Sequence, residues 1–270
     1  MNTNVQEIKK VLVTFSDSLA GYLKVEGERL FADITSRKDY VVFGLDYNAY
    51  VGDISNIPES NAEIWEQFLL ENAEEKYGRC VRDIAKIISY GSSTTVEVFV
   101  NKNRASELCG FYHFVDKFNG LSDVYINYYH SVTREMTEFV NEFMIVDERV
   151  KLTNEIVEKL SSRWQKLALN KDAVIRGIVC GEIKEYSLEE AQNMILPVLD
   201  HKYKRYPRIL IDFLDMYNTE QTIDFDCLSI SYTLETLIKS GVAERTYKTD
   251  VQSGCSDIFF EQDFRLINKK

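Results

Sequence analysis

Short apolar runs alternate with helix-period patterns through the first half of the chain. Residues 10–15, Lys-Val-Leu-Val-Thr-Phe, carry apolar and β-branched positions without polar alternation. That is the pattern of a strand buried on both faces. Ser16, Asp17 and Ser18 follow, side chains suited to cap a helix. Leu19, Leu23, Leu30 and Ile34 then give that helix an apolar stripe.

The same unit recurs. Tyr40–Gly44 predicts a second buried strand, leading into a polar and aromatic loop, Leu45 to Asp53. Ser60 with Glu63 reads as a capping box for a helix bearing Ile64, Trp65, Phe68 and Leu69. A further helix is predicted over 74–89. Thr94–Val100 predicts a third strand, 104–118 a helix, and Asp123–Tyr128 a fourth strand. Strands alternating with helices predict crossover connections and a mainly parallel, Rossmann-like α/β sheet. Residues 137–143 read as helix and 143–146 as a strand.

The pattern changes after a long helix predicted over 153–169. Val174–Val179 and Glu182–Tyr186 flank Cys180-Gly181, a hairpin signature. Ser187 with Glu190 starts a helix, Pro207 opens another over 207–217, and 229–240 forms a short one ended by Gly241. Residues 242–249 and 256–260 are expected to pair around Ser253-Gly254. The outline is winged-helix-like. The expected domains are therefore 1–150, Rossmann-like, and 151–270, mostly helical with a hairpin and a winged-helix-like unit.

Composition narrows the function classes. Hydrophobic residues are 45% and charged residues 28% of the 270, as in ordinary globular proteins. No apolar run reaches the ~20 residues needed to cross a bilayer, and the first ten residues lack a signal-peptide core. A cytoplasmic protein without membrane association is expected. The five cysteines form no Cys-x-x-Cys pair and the three histidines have no metal-ligand spacing, so no metal site and no cofactor is identified. The net charge is −11. Residues 1–150 hold 15 Lys and Arg against 24 Asp and Glu, a net −9; residues 151–270 hold 17 against 19, a net −2. This balance repels a phosphate backbone and argues against nucleic acid as a partner.

Several short motifs resemble a known family. Asp17-Ser18-Leu19-Ala20-Gly21 matches the opening strand–loop–helix of the bacterial "domain of unknown function 1835", with Ser16 in place of the family's leading glycine. Asp46 and Gly52 resemble its Asp-rich loop, with Asp53 where proline is usual. Ala105-Ser106-Glu107-Leu108 is similar to its third mark. Trp164 with Leu167, Asn170, Ile175-Arg176, and Ser231, Glu235, Leu237, Ile238 and Gly241 resemble the C-terminal domain that accompanies it. The resemblance implies a fold and a pairing of two domains. It implies no activity.

Ligands of open parallel sheets bind beyond the carboxyl ends of the strands. Those ends are expected to collect Ser16, Asp17, Ser18 and Gly21, then Asp46 and Asn48, then Asn101, Asn103, Arg104 and Glu107, with Asn127, Tyr129 and His130 beyond. Amides at Ser18–Gly21 open a helix and suit an anion. Asp17 instead suits a sugar hydroxyl or an amine. Arg104 suits a carboxylate or phosphate. Plain alternatives stand beside these: Ser16–Ser18 as caps, Glu107 as a carboxylate favoured by a helix N-terminus, and Arg104 as a solvated surface group. No Gly-x-Gly-x-x-Gly, P-loop, Gly-x-Ser-x-Gly or His-Glu-x-x-His motif occurs.

The expectation is an α/β protein binding a small polar ligand, nucleotide-like or sugar-like. The alternative is a regulatory or scaffold protein, including a homodimerisation module, acting through its winged-helix-like unit. Residues 205–270 hold 8 Lys and Arg against 11 Asp and Glu. That favours protein over DNA as its partner.

Overall fold

The computed structural model describes residues 8–45, 49–57, 73–90, 94–117, 123–131, 144–217, 225–247 and 262–267. By internal contacts the chain divides into two compact units. The first comprises 1–49 with 77–169, the second 50–76 with 170–270.

The first unit is an α/β layer structure. Its strands are β1 (Lys10–Thr14), β2 (Tyr40–Gly44), β3 (Thr95–Val100), β4 (Val124–Ser131) and β5 (Met144–Lys151). They form one sheet in the order β2-β1-β3-β4-β5. β1, β2, β3 and β4 run parallel, and β5 closes the edge antiparallel to β4. All five β1 residues are buried, as expected of a central parallel strand. The helices are α1 (Asp17–Leu30), α2 (Ala73–Ser89, which belongs to this unit from Tyr77 on), α3 (Ala105–Lys117) and α4 (Asn154–Leu169).

Alternation along the strands sorts the helices. Leu12 points to the face where Leu19 and Leu23 of α1 pack with Phe99 and Tyr129. Phe15 points to the opposite face and meets Phe111 and Phe114 of α3 at 6.2 and 6.0 Å between ring centres. α4 lies against α3 and buries Leu160, Trp164 and Leu167. The Trp164 ring sits 5.0 Å from that of His113.

The second unit opens with a hairpin of β6 (Ala173–Val179) and β7 (Glu182–Ser187). Its turn residues Cys180 and Gly181 have φ of 52° and 79°. Two positive φ values define the turn that matches strand twist. A segment from the loop after β2 joins this hairpin. Val51 bridges Ile175, Gly52 N–H donates to the Val174 carbonyl, and Arg176 N–H donates to that of Tyr50, both at 2.7 Å. The buried Arg176 guanidinium then donates to the Gly52 carbonyl at 2.9 Å.

The rest of this unit comprises α5 (Leu188–Ile195), β8 (Lys204–Arg205), α6 (Tyr206–Tyr217), α7 (Cys227–Lys239), β9 (Ala243–Tyr247) and β10 (Gln262–Leu266). Ser187 and Glu190 form the capping box of α5. Asp226 caps α7, accepting from Ser229 N–H at 3.0 Å, and receives the Tyr50 hydroxyl as well. Gly241, φ 71°, ends α7. The small antiparallel sheet has the order β8-β10-β9. β9 pairs with 262–266, a segment C-terminal to the 256–260 expected from the sequence; Phe264 drops into the core there, and pairing follows burial. Residues 256–260 lie outside the described residues, as do the helices expected near 60–70 and 137–143.

Seven α-helices stand among the described residues. No helix of the described residues is long and apolar enough to cross a membrane.

Candidate functional site

The strand order turns at β1. α1 leads from β1 to β2 on one side, whereas α3 leads from β3 to β4 on the other. Right-handed crossovers in opposite directions must lie on opposite faces, as the packing of Leu19 and Phe111 shows. The loops after β1 and β3 therefore diverge at the carboxyl ends. This is where doubly wound sheets hold ligands.

Ser16 builds the first wall. Its Oγ accepts from Leu19 N–H at 3.3 Å and its carbonyl from Ala20 N–H at 2.9 Å, so it is the cap of α1. Asp17, Ser18 and Gly21 are exposed on the first turns. The Asp17 carboxylate leans toward β2: a methyl group on Gly44 would lie 3.0 Å from Asp17 Oδ1.

The second wall is the β3–α3 loop. Asn101 Oδ1 accepts from Asn103 N–H at 2.9 Å, and the Asn101 carbonyl accepts from Arg104 N–H at 3.2 Å. Glu107 reaches back from α3 to accept from Asn101 N–H at 3.0 Å. Its carboxylate is buried and also receives the Tyr129 hydroxyl at 2.8 and 2.9 Å. Burial, and then the Glu107 charge, pushes the Tyr129 hydroxyl well above its ordinary range. Glu107 thus fixes the loop from beneath, while Asn103 and Arg104 stand exposed on it.

The structure places Asp17, Ser18 and Gly21 on the first turns after β1, and Asn103 and Arg104 on the loop after β3. Asp46 and Asn48 lie outside the described residues. Asn127 is within β4 rather than at its end, and is buried. His130 stands past Tyr129 and its Nδ1 lies 2.8 Å from Asp147 Oδ1.

Sequence reasoning missed a buried charge cluster. Glu97, fully buried in β3, receives Arg149 Nε and Nη2 at 3.1 and 2.7 Å, Asn127 Nδ2 at 2.9 Å and Lys10 Nζ at 3.5 Å. The hydrogen bonds from Arg149 to Glu97 raise its guanidinium above the usual value. A lone carboxylate inside the apolar run Thr94–Val100 was the available signal, since a buried charge requires partners. Among the described residues, no group of three or more His, Cys, Asp or Glu is placed to hold a metal. Comparison of the chain with protein-family models, with curated proteins and with solved structures returned no match.

Proposed function

We propose that the protein binds a small polar ligand, nucleotide-like or sugar-like, across the carboxyl ends of β1 and β3. The observation carrying this reading is the reversal of strand order at β1 with exposed polar groups on both diverging loops. The two walls differ in charge. Asp17 suits ligand hydroxyls, and Arg104 suits a phosphate or carboxylate. A ligand carrying both groups satisfies both walls. Isothermal titration with adenosine monophosphate and glucose phosphate tests the reading. Binding is expected, lost in Arg104→Ala and weakened in Asp17→Asn. Absence of heat with a full panel of nucleotides and sugar phosphates would sink it.

A second reading concerns the C-terminal unit. The order α5, β8, α6, α7, β9, β10 supports a winged-helix-like reading. A winged-helix protein presents its last helix to DNA. Here α7 buries eight of its thirteen residues, and only Cys227 and Lys239 are exposed. That favours a protein-interaction role, for which α6 offers exposed Ile211, Leu214 and Met216. Light scattering of wild type against Leu214→Asp tests self-association; identical monomer masses would remove the homodimer.

A further inference from the structure

The β4–β5 ladder is interrupted where the strands pass the carboxyl end of the sheet. Tyr128 pairs with Glu148, but Tyr129 pairs with Val146. Asp147 is therefore the extra residue of a β-bulge. Bulges re-aim side chains, and here the Asp147 carboxylate meets His130 Nδ1 at 2.8 and 3.0 Å through its two oxygens.

We propose that His130 and Asp147 form a carboxylate–imidazole dyad that accepts a proton from a hydroxyl or a water at the strand-end site. This deepens the ligand-binding reading above and rests on it.

Stability does not account for the arrangement. The two side chains are 47% and 52% exposed. An exposed pair of this kind contributes little to stability, while the bulge gives up regular ladder pairing. The geometry does have a chemical consequence. An imidazole donating Nδ1–H to a carboxylate keeps its lone pair on Nε2 and is oriented as a proton acceptor.

The position also fits. Tyr128 pairs with Val100, the last residue of β3, so His130 lies beyond the carboxyl end of that strand, and β4 is bonded to α3 through Tyr129 and Glu107. Glu148, the neighbour of Asp147, is paired with Lys102 of the β3–α3 loop at 3.1 Å, and Lys102 Nζ lies 3.7 Å from the Tyr128 ring centre. Both strands of the dyad are thus joined to the loop that carries Asn103 and Arg104. Exposed Arg104 on that loop favours an anionic substrate.

The step is a proton transfer. An O–H bond of the hydroxyl or water breaks, its proton bonds to Nε2, and Asp147 stabilises the imidazolium. With an ester as the electrophile, the water oxygen bonds to the acyl carbon. The ester C–O bond breaks, and His130 releases the proton to the leaving oxygen or to solvent.

Hydrolysis of p-nitrophenyl acetate by the full chain provides the test. The chain has only three histidines, and His113 is buried. The exposed His201 therefore serves as the control. His130→Gln is expected to lower the rate by about 10-fold or more, and His201→Gln to leave it unchanged. Asp147→Asn, a positioning change, is expected to lower the rate and displace its pH profile. A normal solvent deuterium isotope effect is expected. Equal rates for wild type and His130→Gln, equal losses in both histidine variants, or no isotope effect would overturn the dyad. Titration with the two ligand probes separates the readings. Binding without His130-dependent hydrolysis rejects the dyad alone. Hydrolysis without binding rejects the ligand reading alone.

Discussion

The hydroxyl of Tyr129 donates to both carboxylate oxygens of Glu107, at 2.8 and 2.9 Å, from β4, the strand that directly follows α3. The bond ties the end of β4 to the first turn of α3 and thereby holds the loop on which Arg104 is displayed. Tyr129→Phe leaves a buried carboxylate short of a donor. It is expected to destabilise the fold by about 1–3 kcal/mol, read from urea unfolding, and to weaken ligand binding through Arg104.

Two glycines are expected to respond to alanine in opposite directions. At Gly44 a methyl group meets Ala20 Cβ and Asp17 Oδ1, each at 3.0 Å. Neither neighbour is a long flexible end, so Gly44→Ala is expected to cost about 1–3 kcal/mol and to displace Asp17. At Gly21 nothing lies within 4 Å, and the residue is helical. Gly21→Ala is expected to stabilise by up to ~1 kcal/mol. Thermal unfolding of both variants reads the sign.

The Glu97 cluster predicts a large asymmetric effect. Arg149→Met leaves the buried carboxylate with Asn127 and Lys10 alone. Breaking a fully buried pair costs about 3–5 kcal/mol, and the 43% exposure of Arg149 lowers the expected loss to about 2–4 kcal/mol. Glu97→Gln with Arg149→Met is expected to recover part of it. A double-mutant cycle in urea measures the coupling.

Stability should fall on mild acidification because of His113. Burial lowers its imidazole from 6.5 to about 3, with Lys117 adding to the effect. The unfolded chain therefore binds a proton that the folded chain excludes between those values. Stability is fully present above about pH 6.5 and is lost as pH falls toward 3. Between pH 7 and pH 5 the loss is about 2 kcal/mol. His113→Phe is expected to flatten that part of the profile.

Asp39 acts at lower pH. Its carboxyl is lowered from 3.8 to about 2 by the Thr35 backbone N–H first, then by Lys9. Its contribution is present above 3.8 and lost as pH falls through about 2. Asp39→Asn should shallow the acid limb of unfolding there.

The chain by itself determined the local order. Apolar runs of five or six residues, capping residues at Ser16 and Ser187, the turn at Cys180-Gly181 and the stop at Gly241 are read from near neighbours, since propensity and capping act over a few residues. The alternation of strand and helix likewise carried the parallel sheet. Tertiary structure decided everything that depends on partners distant in sequence. It set β1 between β2 and β3, so that the loops with Asp17 and Arg104 diverge. It buried Glu107 against Tyr129 and supplied Glu97 with Arg149, 52 residues on. It sent the segment at Tyr50–Gly52 to pair beside Ile175 and Arg176. It also slipped β5 by one residue to aim Asp147 at His130. The physical reason is that a charge, a backbone edge or a bulge is satisfied by whichever group packing brings to it, and no local pattern records which group that will be.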